Sequence, residues 1–243
     1  MKFTTRSRRV GAVVIVLFAM TTAFFISAAL TPSPRGSAVT VAVTRPPRPR
    51  PTTTLRSPLA LTPHRMSLNA APVAVPVVVE IPSIHVSSNL LAVGMTAAHV
   101  MAAPEGGANS PFWGDTFWYR GGSVPGAVGT ATIAGHIDNR YGQYAVFGQL
   151  SKLVKGDLIL IRYTQRGFTE RFVVTSTHAY TLAQTTTKRV LNLIYGTGPP
   201  AGRPAKPSAD GLAHLSLITC AGTWDYAIAT HNERLVVTAV RIR

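Results

Sequence analysis

The stretch LSLITC, residues 215–220, is an apolar run that ends on the only cysteine of the chain. Short runs rich in apolar and β-branched residues predict buried β-strands. A single cysteine excludes an intramolecular disulfide framework and a cysteine-based zinc site, so the thiol is either a small buried hydrophobe or a reactive group. The position of Cys220 at the end of a predicted strand leaves both interpretations open.

Further runs of the same kind lie on both sides of this stretch. They are residues 77–81, 130–134, 157–161, 172–175 and 235–240. Glycine, proline and Asn/Asp separate them, which is typical of an all-β domain built as a closed barrel or a sandwich. Few and short helices are expected. The candidate segments are residues 96–101, 144–150 and 187–194.

Two connections between the predicted strands are long. Residues 104–129 contain Trp113, Phe117, Trp118 and Tyr119 among glycines, which predicts an ordered loop packed by aromatic side chains. Residues 177–213 include a Pro/Gly-rich segment and lead directly into the cysteine strand. Long loops inside compact domains often carry function, so both connections are candidates for a binding region.

The N-terminus predicts a membrane anchor. Residues 1–9 are basic, and residues 10–30 contain no charged side chain. At a rise of about 1.5 Å per residue, a helix of this length spans the roughly 30 Å hydrocarbon core. The basic flank predicts a cytoplasmic N-terminus and an extracytoplasmic remainder. A cleaved signal peptide is the alternative, because Ser27-Ala28-Ala29 offers small residues to a peptidase, but the length of the run favours a retained anchor.

A proline-rich segment follows the predicted anchor. Residues 31–72 hold nine of the 18 prolines and predict an extended extracytoplasmic linker, which leaves residues 73–243 as the folded domain. The first 72 residues carry ten Lys/Arg and no acid, whereas the remainder carries 14 Lys/Arg and nine Asp/Glu. The basicity therefore favours contact of the anchor and linker with anionic lipid and wall polymers, and argues against nucleic acid as a partner.

Two residues qualify as partners of the thiol. His136 ends one predicted strand, and Arg234 opens the final one. An imidazole can act as the acid/base partner of a cysteine, and a guanidinium is a fixed cation suited to an oxyanion or to substrate carbonyls. Residue type and spacing alone support a possible Cys/His enzyme.

Each of these residues also has a structural explanation. The thiol could be an inert packed group, His136 a hydrogen-bonded turn residue, and Arg234 a surface partner of Glu233 or Asp225. A metal at His136 and Asp138 is disfavoured, because a second cluster of ligands is missing from the sequence pattern.

Three segments carry a resemblance to a known family. They are TATIAGHID at residues 130–138, LSLITC at 215–220 and RLVVTA at 234–239. In this order they resemble the histidine segment, the Thr-Leu-x-Thr-Cys signature and the closing arginine strand of the sortases, the membrane-anchored cysteine transpeptidases of Gram-positive bacteria. The resemblance covers about residues 76–243. The segments FWYRGGSVPGAVG and CAGTWD are most similar to the actinobacterial class F, whereas Arg234 is placed as in class E.

The resemblance implies a fold and a mechanism. The fold is an eight-stranded closed β-barrel with a few short helices, preceded by one transmembrane helix. Cys220 is expected to attack the Thr carbonyl of a Leu-Pro-x-Thr-Gly type sorting signal, and His136 to protonate the departing amine. The resulting thioester passes to an amine of a peptidoglycan precursor, while Arg234 steadies the substrate or the oxyanion.

The resemblance also implies substrate contacts. Thr219 is expected to touch the sorting signal. Val190, Leu191 and Ile194 are weaker candidates for the wall that receives its Leu-Pro part, and they could equally belong to the core. The expected partners are secreted proteins that carry the signal, the precursor amine and the membrane, with no cofactor and no metal. Two alternatives stay open: a sortase that polymerises pilins, and a tethered barrel that binds wall or peptide without turnover.

Overall fold

The computed structural model describes residues 67–98, 100–197 and 205–243, and the predicted anchor and most of the predicted linker lie outside these ranges. Eight strands form one closed barrel in the order β1-β2-β3-β4-β7-β8-β6-β5. The strands are β1 (Val73–Ile81), β2 (Val86–Val93), β3 (Thr116–Tyr119), β4 (Gly129–Ala134), β5 (Leu158–Tyr163), β6 (Phe168–Thr181), β7 (Ala213–Asp225) and β8 (Thr230–Ile242). The expectation of an all-β closed eight-stranded barrel is confirmed.

The core fills the barrel because apolar side chains alternate along most strands, with β3 buried along its whole length. On β7, Leu215 and Leu217 are at most 1% exposed and point inward, whereas Ile218 and Cys220 are partly exposed on the outer face. Neighbouring strands are antiparallel except for the pairs β2–β3 and β4–β7, which are parallel. The parallel pairing of β4 with β7 brings the ends of these two strands together.

Two helices lie between β6 and β7. Helix α1 (Leu182–Thr185) begins at a capping box formed by Thr181 and Gln184, and helix α2 (Lys188–Tyr195) is capped by the Thr187 hydroxyl. The expected helix near residues 187–194 is therefore present. The long connection predicted at residues 177–213 begins later in the structure, because β6 continues to Thr181 and the two helices follow directly.

Helix α2 covers part of the barrel's outer face. Val190 and Ile194 pack against Val236 of β8, with Ile218 of β7 at the edge of the same cluster. The Thr132 hydroxyl of β4 donates to the Ile194 carbonyl at 2.7 Å. These contacts hold the helix beside the strand that carries Cys220.

Other expectations need correction. Residues 96–98, 100–101 and 144–150 form turns, bridges and the start of a short 3₁₀ helix (Leu150–Lys152) rather than α-helices. Residues 104–129 contain a 3₁₀ turn (Pro111–Trp113) and the buried strand β3, so Phe117, Trp118 and Tyr119 belong to the barrel wall. Within the described ranges, no helix is long and apolar enough to cross a membrane.

A buried arginine holds the segment that precedes β1. Arg120 is 2% exposed, and its Nη2 donates to the carbonyls of Ala70 and Ala71, the second at 3.1 Å. The Met95 amide donates to the Leu68 carbonyl at 2.9 Å. The entry of the chain into the barrel is therefore fixed to the region around β2 and β3.

Candidate active site

The register of β4 against β7 brings a histidine beside the cysteine. Ala134 lies opposite Ile218, and the Gly135 amide donates to the Ile218 carbonyl at 3.1 Å. Two residues further along each chain come His136 and Cys220. Because residues two apart share one face of a strand, the continued register places imidazole and thiol on the same outer side of the sheet.

Arg234 lies on the other side of the cysteine. It is the direct cross-strand partner of Cys220 in the antiparallel pair β7–β8. Directly opposed residues have Cβ atoms about 4.5–5.5 Å apart, so the guanidinium is within reach of the thiol. The structure thus places Arg234 directly opposite Cys220, and the segment that carries His136 beside the strand that carries Cys220.

The surroundings of Cys220 favour the protonated form of its thiol on balance. Burial raises the pKa of Cys220, and the carboxylates of Asp138 and Glu105 raise it as well. The Arg234 guanidinium and a hydrogen bond with Thr230 lower the pKa, but the net direction is upward. Since the thiolate is the nucleophile, a base must remove the proton before attack.

The guanidinium of Arg234 is held by three hydrogen bonds. Its Nη1 donates to the carbonyls of His231 and Glu233, each at 2.8 Å, and its Nη2 donates to the Thr230 hydroxyl at 3.0 Å. Arg234 therefore contacts Glu233 through the backbone, which differs from the surface ion pair considered as its structural explanation. A cation fixed in this way is prepared for an anion that forms at Cys220.

The His136 ring is fixed by two aromatic neighbours and one carbonyl. Trp113 and Phe117 meet it edge to face, at centroid distances of 4.8 and 5.4 Å. Nε2 lies 2.9 Å from the Pro104 carbonyl oxygen, which can only accept, so Nε2 carries the proton. In the neutral ring the lone pair is then on Nδ1, the nitrogen available to take a proton from the thiol.

The turn after Cys220 requires a glycine. Gly222 has φ +74°, and a Cβ there would meet the Asn232 side-chain oxygen at 2.1 Å. The backbone of Ala221 lies outside the left-handed region, so this position carries a side chain without backbone strain. The register shift between Ala221 and Trp224 bends the hairpin just beyond the thiol.

The residues predicted to bind substrate lie in different environments. The Thr219 side chain is 4% exposed on the inner face of β7, so the structure does not bring it to the thiol on the outer face. Val190 and Ile194 are 5% and 2% exposed and hold α2 on the barrel. Leu191, on the same helix, is partly exposed and keeps surface available for a ligand.

Sequence reasoning missed Thr230 and His231. Both lie on β8, which begins four residues earlier than the arginine that was taken to open it. The side chain of Thr230 contacts Cys220 and Arg234, and that of His231 contacts Asp138. Side chains alternate along β8, so Thr230 and Arg234, four residues apart, lie on one face of the strand. This spacing could be recognised in the sequence only if the length of the β7–β8 hairpin were known.

The arrangement suits acyl transfer. It contains a thiol on β7, a fixed cation on β8 and a histidine two residues beyond the end of β4, and these three strands are neighbours in the barrel. These are the groups needed to attack a carbonyl, to shuttle a proton and to stabilise an oxyanion.

A sequence model of this kind of domain matches the chain. The family described as the sortase domain matches residues 79–242, which include the last three residues of β1 and all seven other strands. The chain therefore belongs to the sortase family, and it is a cysteine transpeptidase. As a sortase it acts on proteins that carry a sorting signal and on an amine acceptor.

Solved sortase structures are similar to this chain. A lid mutant of sortase A from Corynebacterium diphtheriae has 20% identity and a TM-score of 0.46, covering 72% of this chain and 73% of that one. Sortase C-1 from Actinomyces oris has 20% identity and a TM-score of 0.46, with coverage of 69% and 73%. Sortase A from Listeria monocytogenes has 18% identity and a TM-score of 0.45, with coverage of 70% and 88%. None of the curated proteins compared matches the chain.

Proposed function

We propose that this sortase is a membrane-anchored enzyme that cleaves a Leu-Pro-x-Thr-Gly type signal between Thr and Gly and transfers the acyl group to an amine of a cell-wall precursor. The observation that supports it best is the strand register, with Arg234 opposite Cys220 and His136 two residues beyond the last β4–β7 pair. We assign catalysis to these three residues.

The first half-reaction forms a thioester. His136 takes the thiol proton on Nδ1, and the Cys220 sulfur attacks the Thr carbonyl carbon. Arg234 stabilises the oxyanion of the tetrahedral intermediate. The C–N bond to Gly then breaks, and the proton passes from His136 to the departing amine.

The second half-reaction forms the new amide. The amine of the acceptor attacks the thioester carbonyl and gives a proton to His136. The C–S bond breaks, and the proton returns to the sulfur of Cys220. One peptide bond is broken and one amide bond is formed, with no change of oxidation state. The reaction therefore needs no cofactor.

The substrate side chains have a candidate wall on α2. Leu191 is the member of the predicted wall that retains exposed surface, and Val190 and Ile194 hold the helix in place behind it. Thr219 contributes its backbone beside the thiol. This division assigns recognition to Leu191 and support to the two buried residues.

The proposed location follows from the sequence. Residues 10–30 anchor the protein in the cell membrane with residues 1–9 in the cytoplasm, and residues 31–72 hold the catalytic domain at 73–243 outside. The segments around residues 117–129 and 220–225 favour the actinobacterial class F, with Arg234 placed as in class E. The ordinary φ of Ala221 is compatible with that assignment.

The test is capture of the acyl-enzyme. The full chain, purified in detergent, is incubated with a pool of Leu-Pro-x-Thr-Gly variant peptides and its intact mass is measured. The expected result is a mass increase equal to the peptide cut after Thr, which an added amine releases. Cys220→Ala abolishes the increase if the proposal is correct.

The matched control is His136→Ala. It is expected to keep the thiol alkylatable while acylation is lost. An adduct that persists in Cys220→Ala, or a folded wild-type protein with a reactive thiol that forms no adduct with any peptide, would contradict the proposal.

A further inference from the structure

A second histidine lies beside the site and is not used in the reaction described above. His231 is 9% exposed, and its Nε2 donates to Asp138 Oδ2 at 3.3 Å. Its Nδ1 faces the Gly222 carbonyl oxygen at 3.3 Å, and Trp224 packs edge-on against the ring. Both ring nitrogens of His231 therefore face oxygen atoms, a carboxylate on one side and a backbone carbonyl on the other.

The backbone of His231 supports the cysteine side of the site. Its carbonyl accepts the 2.8 Å hydrogen bond from Arg234, and the preceding Thr230 contacts both Arg234 and Cys220. A shift of His231 would therefore move the cation and the hydroxyl that face the thiol.

Asp138 belongs to the histidine side of the site. It lies two residues after His136, in a segment pinned to a neighbouring turn. The Phe147 amide donates to the His136 carbonyl and the Ala145 amide to the Ile137 carbonyl, each at 2.9 Å. A shift of Asp138 is therefore transmitted to the imidazole.

We infer that the Asp138–His231 pair is a positioning bridge that fixes the imidazole of His136 relative to the thiol of Cys220 and the guanidinium of Arg234. The bridge joins the segment after β4 to the β7–β8 hairpin, two parts of the chain that are 93 residues apart. This inference rests on the roles proposed above for His136, Cys220 and Arg234. The pair acts through these residues and does not touch the substrate.

The test separates positioning from binding. In the full chain, Asp138→Asn and His231→Gln are each expected to lower kcat about 10- to 100-fold with the peptide pool, because supporting partners of reactive groups have effects of this size. KM stays near the wild-type value. The double variant is expected to lose about as much kcat as the more strongly affected single variant, because both changes break the same contact.

Alkylation by iodoacetamide supplies a readout that needs no sorting signal. The Asp138 carboxylate raises the pKa of Cys220, so Asp138→Asn is expected to alkylate faster at a fixed pH near neutrality while its acylation slows. Faster alkylation together with slower acylation indicates that the thiol of Cys220 is intact and that its acid/base partner, His136, is displaced. His231→Asn is the second variant if His231→Gln lowers the unfolding temperature.

The chain contains a matched control pair. His214 and Asp210 form another His–Asp contact, at 2.9 Å, at the opposite end of β7. Asp210→Asn and His214→Gln are expected to leave kcat, KM and the alkylation rate unchanged.

Two outcomes would overturn the inference and are distinguishable from failure of the proposed function. If Cys220→Ala and His136→Ala abolish product while the bridge variants keep wild-type kcat, the bridge is wrong and the proposed function stands. If the losses of the two bridge variants add in the double variant, the residues act separately and the bridge is again wrong. Product formation by Cys220→Ala would overturn both the proposed function and the inference that the Asp138–His231 pair is a positioning bridge.

Discussion

At the scale of single residues, the reactivity of Cys220 is a balance between burial and its polar neighbours. Burial and two carboxylates raise the pKa of the thiol, whereas Arg234 and Thr230 lower it. The polar neighbours then decide how readily a base can activate it.

Thr230→Val tests this balance. The change removes a hydrogen bond that lowers the pKa of Cys220, so the pKa rises further above its ordinary value. The rate of alkylation by iodoacetamide, measured against pH, is expected to reach its midpoint at higher pH than in the wild type. Thr230→Ser keeps the hydroxyl and should retain the wild-type profile. A midpoint at lower pH in Thr230→Val would contradict this account.

Arg234→Gln tests the role of the cation. Loss of one preorganised donor to an oxyanion typically lowers kcat about 10²- to 10³-fold, and we expect a loss in this range. The variant also loses the charge that lowers the pKa of Cys220, so its alkylation midpoint moves to higher pH. Wild-type turnover in Arg234→Gln would show that the guanidinium has no part in catalysis.

At the scale of elements, α2 is held by a small cluster on the outside of the barrel. Ile194 is 2% exposed and packs on Val236, whereas Leu193, its neighbour on the helix, is 37% exposed. Ile194→Ala is expected to lower the free energy of unfolding by about 2–4 kcal/mol, as for other buried aliphatic residues. Leu193→Ala is expected to cost far less. Denaturant unfolding of the two variants measures the difference, and equal losses would contradict the assigned packing.

The sequence predicted six strands of the barrel from their apolar runs. It missed β2 and β3 because each is short or mixed in composition: β2 (VSSNLLAV) has three polar residues at its start, and β3 (TFWY) has four residues. All four residues of β3 are buried, so it lacks the alternation that marks a half-exposed strand. The aromatic residues there were correctly expected to pack, but not as a strand.

The three reactive residues of the candidate site were predictable, and their support was not. Cys220, His136 and Arg234 stand in segments that resemble a known family. Thr230 and the Asp138–His231 pair depend on a register shift in the β7–β8 hairpin and on a contact between distant segments. Local sequence carries no information on either.

At the scale of the whole molecule, the barrel also contacts the segment that precedes β1, residues 67–72. Arg120 contacts the carbonyls of Ala70 and Ala71 and is otherwise surrounded by the protein. The contact adds residues 67–72 to the folded unit, so the proposed linker, predicted to run to residue 72, ends at residue 66.

Arg120→Met is expected to release this segment while the barrel stays folded. A hydrogen bond from a charged donor contributes about 1.5–3 kcal/mol, so local opening should increase roughly 10- to 100-fold. Hydrogen exchange of the Met95 amide, which donates to the Leu68 carbonyl, should accelerate accordingly. Amides of β7 serve as the internal reference and should be unchanged. Unaltered exchange at Met95 would show that the segment is held by other contacts.

The position of β1 in the barrel has a mechanical consequence. β1 is hydrogen-bonded to β2 on one side and to β5 on the other, and the bonds of antiparallel pairs lie across the strands. Tension applied to the chain before residue 67 first meets the contacts of Arg120 and Met95 with residues 68–71. Once these have opened, tension directed along β1 loads both rows of its hydrogen bonds in shear. In the closed order of strands, β7 lies four places from β1 in either direction. A sortase pulled by its tether would bear the force on the wall of the barrel farthest from Cys220, and the strands that align the thiol would stay unstretched.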